Sequence, residues 1–176
     1  MVPVWDRFVR LFHWTLALSF ALAWLSAQSF EALHVWAGYA AAALVALRIV
    51  WGFVGAGYAR FSQFVHRPST VFSYLRDVAS GREARFVGHN PAGGAMILAL
   101  LGGLIASAFT GWMLTTDALW GVQWAQRLHS LVAHGLLLLV LGHLAGVALA
   151  SFRHRENLVR AMIAGRKRAP EAGDVA

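Results

Sequence analysis

Cysteine is missing from all 176 residues, which excludes disulfides, thiolate metal sites and ordinary iron–sulfur clusters. Charge is nearly as scarce: Asp, Glu, Lys and Arg make up 13% of the chain against 59% apolar residues, and the mean hydropathy is +0.58. A chain so apolar at this length belongs in lipid. No internal repeat or low-complexity tract divides it, so residues 1–176 read as a single membrane domain.

What is present is four apolar stretches at residues 8–27, 33–54, 92–114 and 128–152, each able to cross a bilayer, for which roughly 17 to 25 residues suffice. The expected fold class is therefore all-α, an integral membrane four-helix bundle. Lys and Arg near span ends accumulate on the cytoplasmic side. Thirteen of the fifteen fall at Arg7 and Arg10, between spans two and three (Arg60, Arg67, Arg76, Arg82, Arg85), and in a tail over 153–176 (Arg153, Arg155, Arg160, Arg166, Lys167, Arg168). Both termini are thus expected in the cytoplasm, with Arg127 outside and Arg48 within span two. The net charge of +7 reads as topology and attraction to anionic lipid, with no nucleic-acid partner implied. Span one is too long for a signal-peptide core, and Leu25-Ser26-Ala27-Gln28 is a poor cleavage site, so it is expected to stay.

Between spans two and three, residues 68–79, bounded by Gly81 and Gly88, carry Val71, Phe72, Tyr74, Leu75 and Val78 at nearly helical spacing. This predicts a short helix on the cytoplasmic surface. Trp5, Trp36, Trp51, Trp112, Trp120 and Trp124 lie near span ends, where indole favours the lipid interface.

The histidines carry the chemistry. His129 and His143 are fourteen residues apart, which on a helix means about 21 Å along the axis and only about 40° around it. One helix can therefore present two imidazoles to the same interior, one near each face. His34 begins span two on the outer side, level with His129, and His13 lies early in span one, level with His143. For one histidine alone, a hydrogen bond to another helix is explanation enough. Four matched in depth point to two haems, each held through both axial positions by facing imidazoles. Such an iron is closed to exogenous ligands and suits electron transfer, and without cysteine for covalent attachment it must be haem b. Isolated His–His pairs lack the carboxylates or thiolates of most zinc and iron sites.

Arg48 follows His34 by fourteen residues and so points the same way about 21 Å deeper, where it could meet a propionate of the inner haem or else snorkel to the cytoplasmic interface. Gly135, Gly142 and Gly146 form a small-residue seam away from the ligand face, and span three, without histidine, is expected to pack against the haem-bearing helices without ligating. His134 lies off the ligand face and His66 and His89 lie between spans, so these read as structural. His154, eleven residues after His143 and nearly on its face, is the candidate for quinone contact at the cytoplasmic mouth together with Asn157.

Residues 4–14 (VWDRFVRLFHW), 48–53 (RIVWGF), 88–94 (GHNPAGG) and 151–167 (SFRHRENLVRAMIAGRK) occur in this order, and together they resemble the bacterial cytochrome b561 and nickel-iron hydrogenase b-type cytochrome family. The resemblance implies a four-helix diheme cytochrome b of the bacterial inner membrane that exchanges electrons with quinone. It carries ligand roles onto His13, His34, His129 and His143, the four that depth selected. One departure is Ser130, where members often have glutamate after the histidine. Family members serve hydrogenases, dehydrogenase complexes and periplasmic c-type cytochromes. The expected function is an electron-transfer subunit between quinone and such a periplasmic partner. The alternatives are a stand-alone oxidoreductase acting on a small molecule such as superoxide, and a haem-free scaffold or transporter.

Overall fold

A bilayer core offers no water to backbone N–H and C=O groups, so each crossing must bond them within itself, as a helix does. The computed structural model describes residues 1–175. Four of its helices are long and apolar enough to cross a membrane: α1 (Arg7–Ser26), α2 (Glu31–Val54), α5 (Pro91–Met113) and α6 (Gln123–Arg153). The shorter helices are α3 (Phe61–Phe64), α4 (Pro68–Ala79) and α7 (Leu158–Ala164), and a 3₁₀ turn covers Gly57–Ala59. In the most apolar stretch of α6 only 6% of residues are buried within the chain, and Leu131, Leu138 and Leu144 are exposed. That exposure suits lipid as the solvent.

The expected spans hold, with ends shifted by one or two residues except at α6, which starts at Gln123 rather than 128. The helix at 68–79 forms with those bounds, opening on Pro68 at its first turn. Residues 153–176 are not a plain tail. They contain α7 and the strand β2 (Arg166–Lys167), which pairs antiparallel with β1 (Val2–Pro3). A two-residue ribbon therefore departs from a purely helical chain.

The chain forms two compact units. The first comprises Met1–Arg10, Val50–Leu98 and Gly142–Ala176 and so holds both ends of the described chain. Asp6 organises its N-terminal part: Oδ1 accepts from Val9 N at 2.7 Å, capping α1, while Oδ2 accepts from Trp51 Nε1 at 3.1 Å. Trp51 also packs on Phe8, and Trp5 packs on His89, so these two tryptophans have specific partners beyond an interfacial position. His89 in turn lies against Phe64. Gly165 ends α7 at φ 78°, and its carbonyl accepts from Val4 N and Trp5 N. A Cβ there would stand 2.8 Å from the Trp5 carbonyl, so both backbone and space call for glycine. Asn90 caps α5 through Gly93 N at 2.7 Å with Pro91 behind it, and a Cβ on Gly94 would strike the Phe64 carbonyl at 2.2 Å.

Charge is consumed in the same unit. Arg85, buried, binds the Glu156 carboxylate at 2.8 Å and the Asp174 carboxylate, and donates to the Arg168 carbonyl. Lys167, also buried, donates to the Phe86 carbonyl at 3.0 Å and lies 3.6 Å from Glu156. Arg153 binds Glu83 at 2.7 Å. These cations, counted above as marks of sidedness, are fastened within the protein.

The second unit, Leu11–Ile49 and Ala99–Leu141, holds the remaining parts of the four long helices. Gly103 of α5 is packed on Leu136 of α6, where a Cβ would come 3.1 Å from the leucine methyl. The expected seam at Gly135, Gly142 and Gly146 is not used for close packing among the described residues. Only Gly142 has a neighbour within contact, the Met96 methyl at 3.5 Å.

Candidate functional site

His34 stands in the first turn of α2 and His129 two turns into α6, and the structure brings them together. Their ring centroids are 6.1 Å apart with planes crossed at 82°. With a metal–nitrogen bond of about 2.0 Å and about 1.2 Å from that nitrogen to the ring centre, two imidazoles sharing one metal between them have centroids up to about 6.4 Å apart, so the observed separation leaves room for one metal between the rings.

The hydrogen bonds fix which nitrogen each ring has to offer. His34 Nδ1 lies 2.7 Å from the Ala23 carbonyl near the end of α1. A carbonyl only accepts, so Nδ1 carries the proton and Nε2 keeps its lone pair. His129 Nδ1 lies 3.0 Å from the Thr110 hydroxyl of α5. That hydroxyl also lies 2.8 Å from the Ala106 carbonyl, and when it donates there it can accept from Nδ1–H and leave Nε2 as the coordinating nitrogen. Gly111 makes room for the ring, since a Cβ there would lie 3.0 Å from His129 Cε1. Span three thus positions the ring of His129 through Thr110 and Gly111. Sequence reasoning missed Thr110 and Gly111, because a threonine bonded to its own helix and one glycine among several give no signal of their own. Ser130, the departure from the family pattern, does not contact His129; its carbonyl accepts from His134 Nδ1 at 2.7 Å. His134 also packs edge-on against Trp24.

Two imidazoles hydrogen-bonded through Nδ1, with Nε2 as the candidate donor, suit a metal whose other ligands come from a macrocycle. No group of three or more His, Cys, Asp or Glu able to hold a bare metal ion exists among the described residues. The donor set fits haem b.

The other predicted residues are distributed between the units. His13 belongs to the second, its ring edge-on to Trp14 at 5.1 Å, and His143 belongs to the first. Arg48 belongs to the second and is 3% exposed, which is a buried guanidinium and not a snorkelled one. His154 follows the end of α6, close enough to the Glu83 carboxylate to favour its charge. Burial would raise the Glu83 carboxyl, but the hydrogen bond from Arg153 and the charges of Arg153 and His154 hold it below its ordinary range. Asn157 caps α7, its Oδ1 accepting from Arg160 N at 2.7 Å.

The model of the family described as prokaryotic cytochrome b561 matches residues 4–165. No curated protein and no solved structure matches the chain. The chain belongs to the prokaryotic cytochrome b561 family: it is a multi-pass membrane cytochrome b that takes haem b and transports electrons.

Proposed function

We propose that this cytochrome carries electrons across the bacterial inner membrane through two bis-histidine haems b, between the quinone pool and a periplasmic redox partner. His34 and His129 would hold the outer haem and His13 and His143 the inner one. The observation that carries the reading is the His34–His129 pair, 6.1 Å between centroids, with both Nδ1 atoms within hydrogen-bond distance of a partner on another helix. Haem b, when bound, would supply one-electron redox chemistry. The chain's own residues do the rest. The Ala23 carbonyl and the Thr110 hydroxyl would orient the His34 and His129 rings for coordination, and Arg48, buried, would place a positive charge for a propionate of the inner haem.

The distribution of Lys and Arg supports cytoplasmic termini, with α4 lying on that surface. Quinone would exchange at the cytoplasmic mouth near His154, where an imidazole at the water boundary can pass the protons that quinone reduction takes up. The partner on the outer side would be a c-type cytochrome or a subunit of a membrane-bound dehydrogenase or hydrogenase. Stopped-flow reduction by a short-chain quinol tests the direction of access. His154→Ala is expected to keep both haems yet slow their reduction about tenfold or more, the lower range for loss of a proton-transfer group. A wild-type rate in a fully loaded variant would move quinone exchange away from this mouth.

A further inference from the structure

Where α6 ends and α7 begins, an open groove of about 570 Å³ is lined by Leu144, Val147, Phe152 and Val159 together with the polar side chains of Arg155, Glu156 and Asn157. Leu144, Val147 and Phe152 lie about 100°, 40° and 180° around α6 from His143, so the groove opens on the flank of the helix and not along the histidine face. A molecule seated there is poorly placed to exchange electrons and well placed to lie among lipids.

Arg155 has an unusual backbone. Its φ is 49°, making it the non-glycine residue in the left-handed region among those described, at a helix end where glycine normally stands. A strained residue that persists points to a use for its side chain. Its neighbours are committed elsewhere: Arg153 binds Glu83, while Glu156, which also lines the groove, has its carboxylate held by Arg85. Arg155 takes part in no ion pair among the described residues and is exposed. Asn157 uses its oxygen for the α7 cap, which leaves its NH₂ to donate. An apolar wall ending in a cation and an amide donor complements an amphiphile with an anionic head.

We propose that this groove binds one anionic phospholipid of the surrounding bilayer, with acyl chain along Leu144, Val147, Phe152 and Val159 and phosphate at Arg155 and the Asn157 amide. The test uses the full-length, haem-loaded protein in detergent with equimolar phosphatidylglycerol and phosphatidylcholine of identical chains, read by native mass spectrometry. Phosphatidylglycerol should be the first lipid retained. Arg155→Gly removes the guanidinium while suiting the left-handed backbone, so it should lower the phosphatidylglycerol-to-phosphatidylcholine ratio about fivefold without lowering thermal stability. Phe152→Ala should reduce retention of both lipids, and Arg160→Ala, whose side chain does not line the groove, should leave the ratio unchanged. An unchanged ratio in Arg155→Gly, an equal fall in Arg160→Ala, or displacement of the lipid by a short-chain quinone would overturn the proposal.

Discussion

Thr110 can accept the Nδ1 proton of His129 when its own proton goes to the Ala106 carbonyl, and that arrangement leaves Nε2 to coordinate. Thr110→Val keeps the shape and removes the acceptor. Losing such a partner of a ligating histidine weakens metal binding about 10–100-fold, so haem affinity at that site should fall by about tenfold or more, with Thr110→Ser restoring most of it. Titration of haem into the apoprotein measures this, and unchanged affinity would free His129 from Thr110. At Arg48 the effect is on potential. A buried cation near a haem favours the reduced iron, so Arg48→Leu should lower the inner midpoint and leave the outer nearly unchanged. An unmoved inner midpoint in redox titration would leave Arg48 a packing residue. Depth arithmetic on the sequence pairs His34 with His129, because helical rise and span polarity are enough for that. Thr110 is not legible in the same way, since nothing in α5 marks the one threonine that meets a histidine of α6.

Among the elements, the four spans and α4 were readable from apolar length, helical spacing, Pro68 and Gly81, all of which act locally. The β1–β2 ribbon, α7 and the Arg85 cluster were not. Val2 pairs with Lys167 and Arg85 with Glu156 and Asp174, across separations that leave no periodic trace. This clasp has a pH signature. Burial would raise the Glu156 carboxyl, but hydrogen bonds from Arg85 and Arg168 N and the charges of Lys167 and Arg85 hold it below its ordinary value of 4.5. A depressed acid contributes stability above its unfolded pKa and loses it as pH falls through the folded one. Protease should therefore reach the residues after Gly165 increasingly below about pH 4.5, with no change between about pH 5 and 8. Glu156→Gln should loosen the same segment at neutral pH and destabilise the protein by about 3 kcal/mol, the scale for breaking a buried ion pair. A variant with wild-type melting and protease resistance would show that the clasp is held by the ribbon alone. At the alkaline end Tyr74, pushed up to about 12 by burial and then by the Glu83 charge, contributes stability that is complete below pH 10 and lost as pH rises toward 12.

For the whole molecule, composition, family and four apolar helices agree on a membrane cytochrome b, and the question that decides the account is how many haems it holds and by which side chains. The net charge of +7 is carried by other cations, because Arg85, Lys167 and Arg153 are balanced by Glu156, Asp174 and Glu83. It does not bear on ligation. The direct measurement is a pyridine haemochrome count combined with low-temperature reduced spectra of the purified protein and its four histidine-to-alanine variants. The expected result is two low-spin haems b in the wild type, one and the same component lost in His34→Ala and His129→Ala, and the other lost in His13→Ala and His143→Ala. A single haem in the wild type, or different components lost from His34→Ala and His129→Ala, would contradict it.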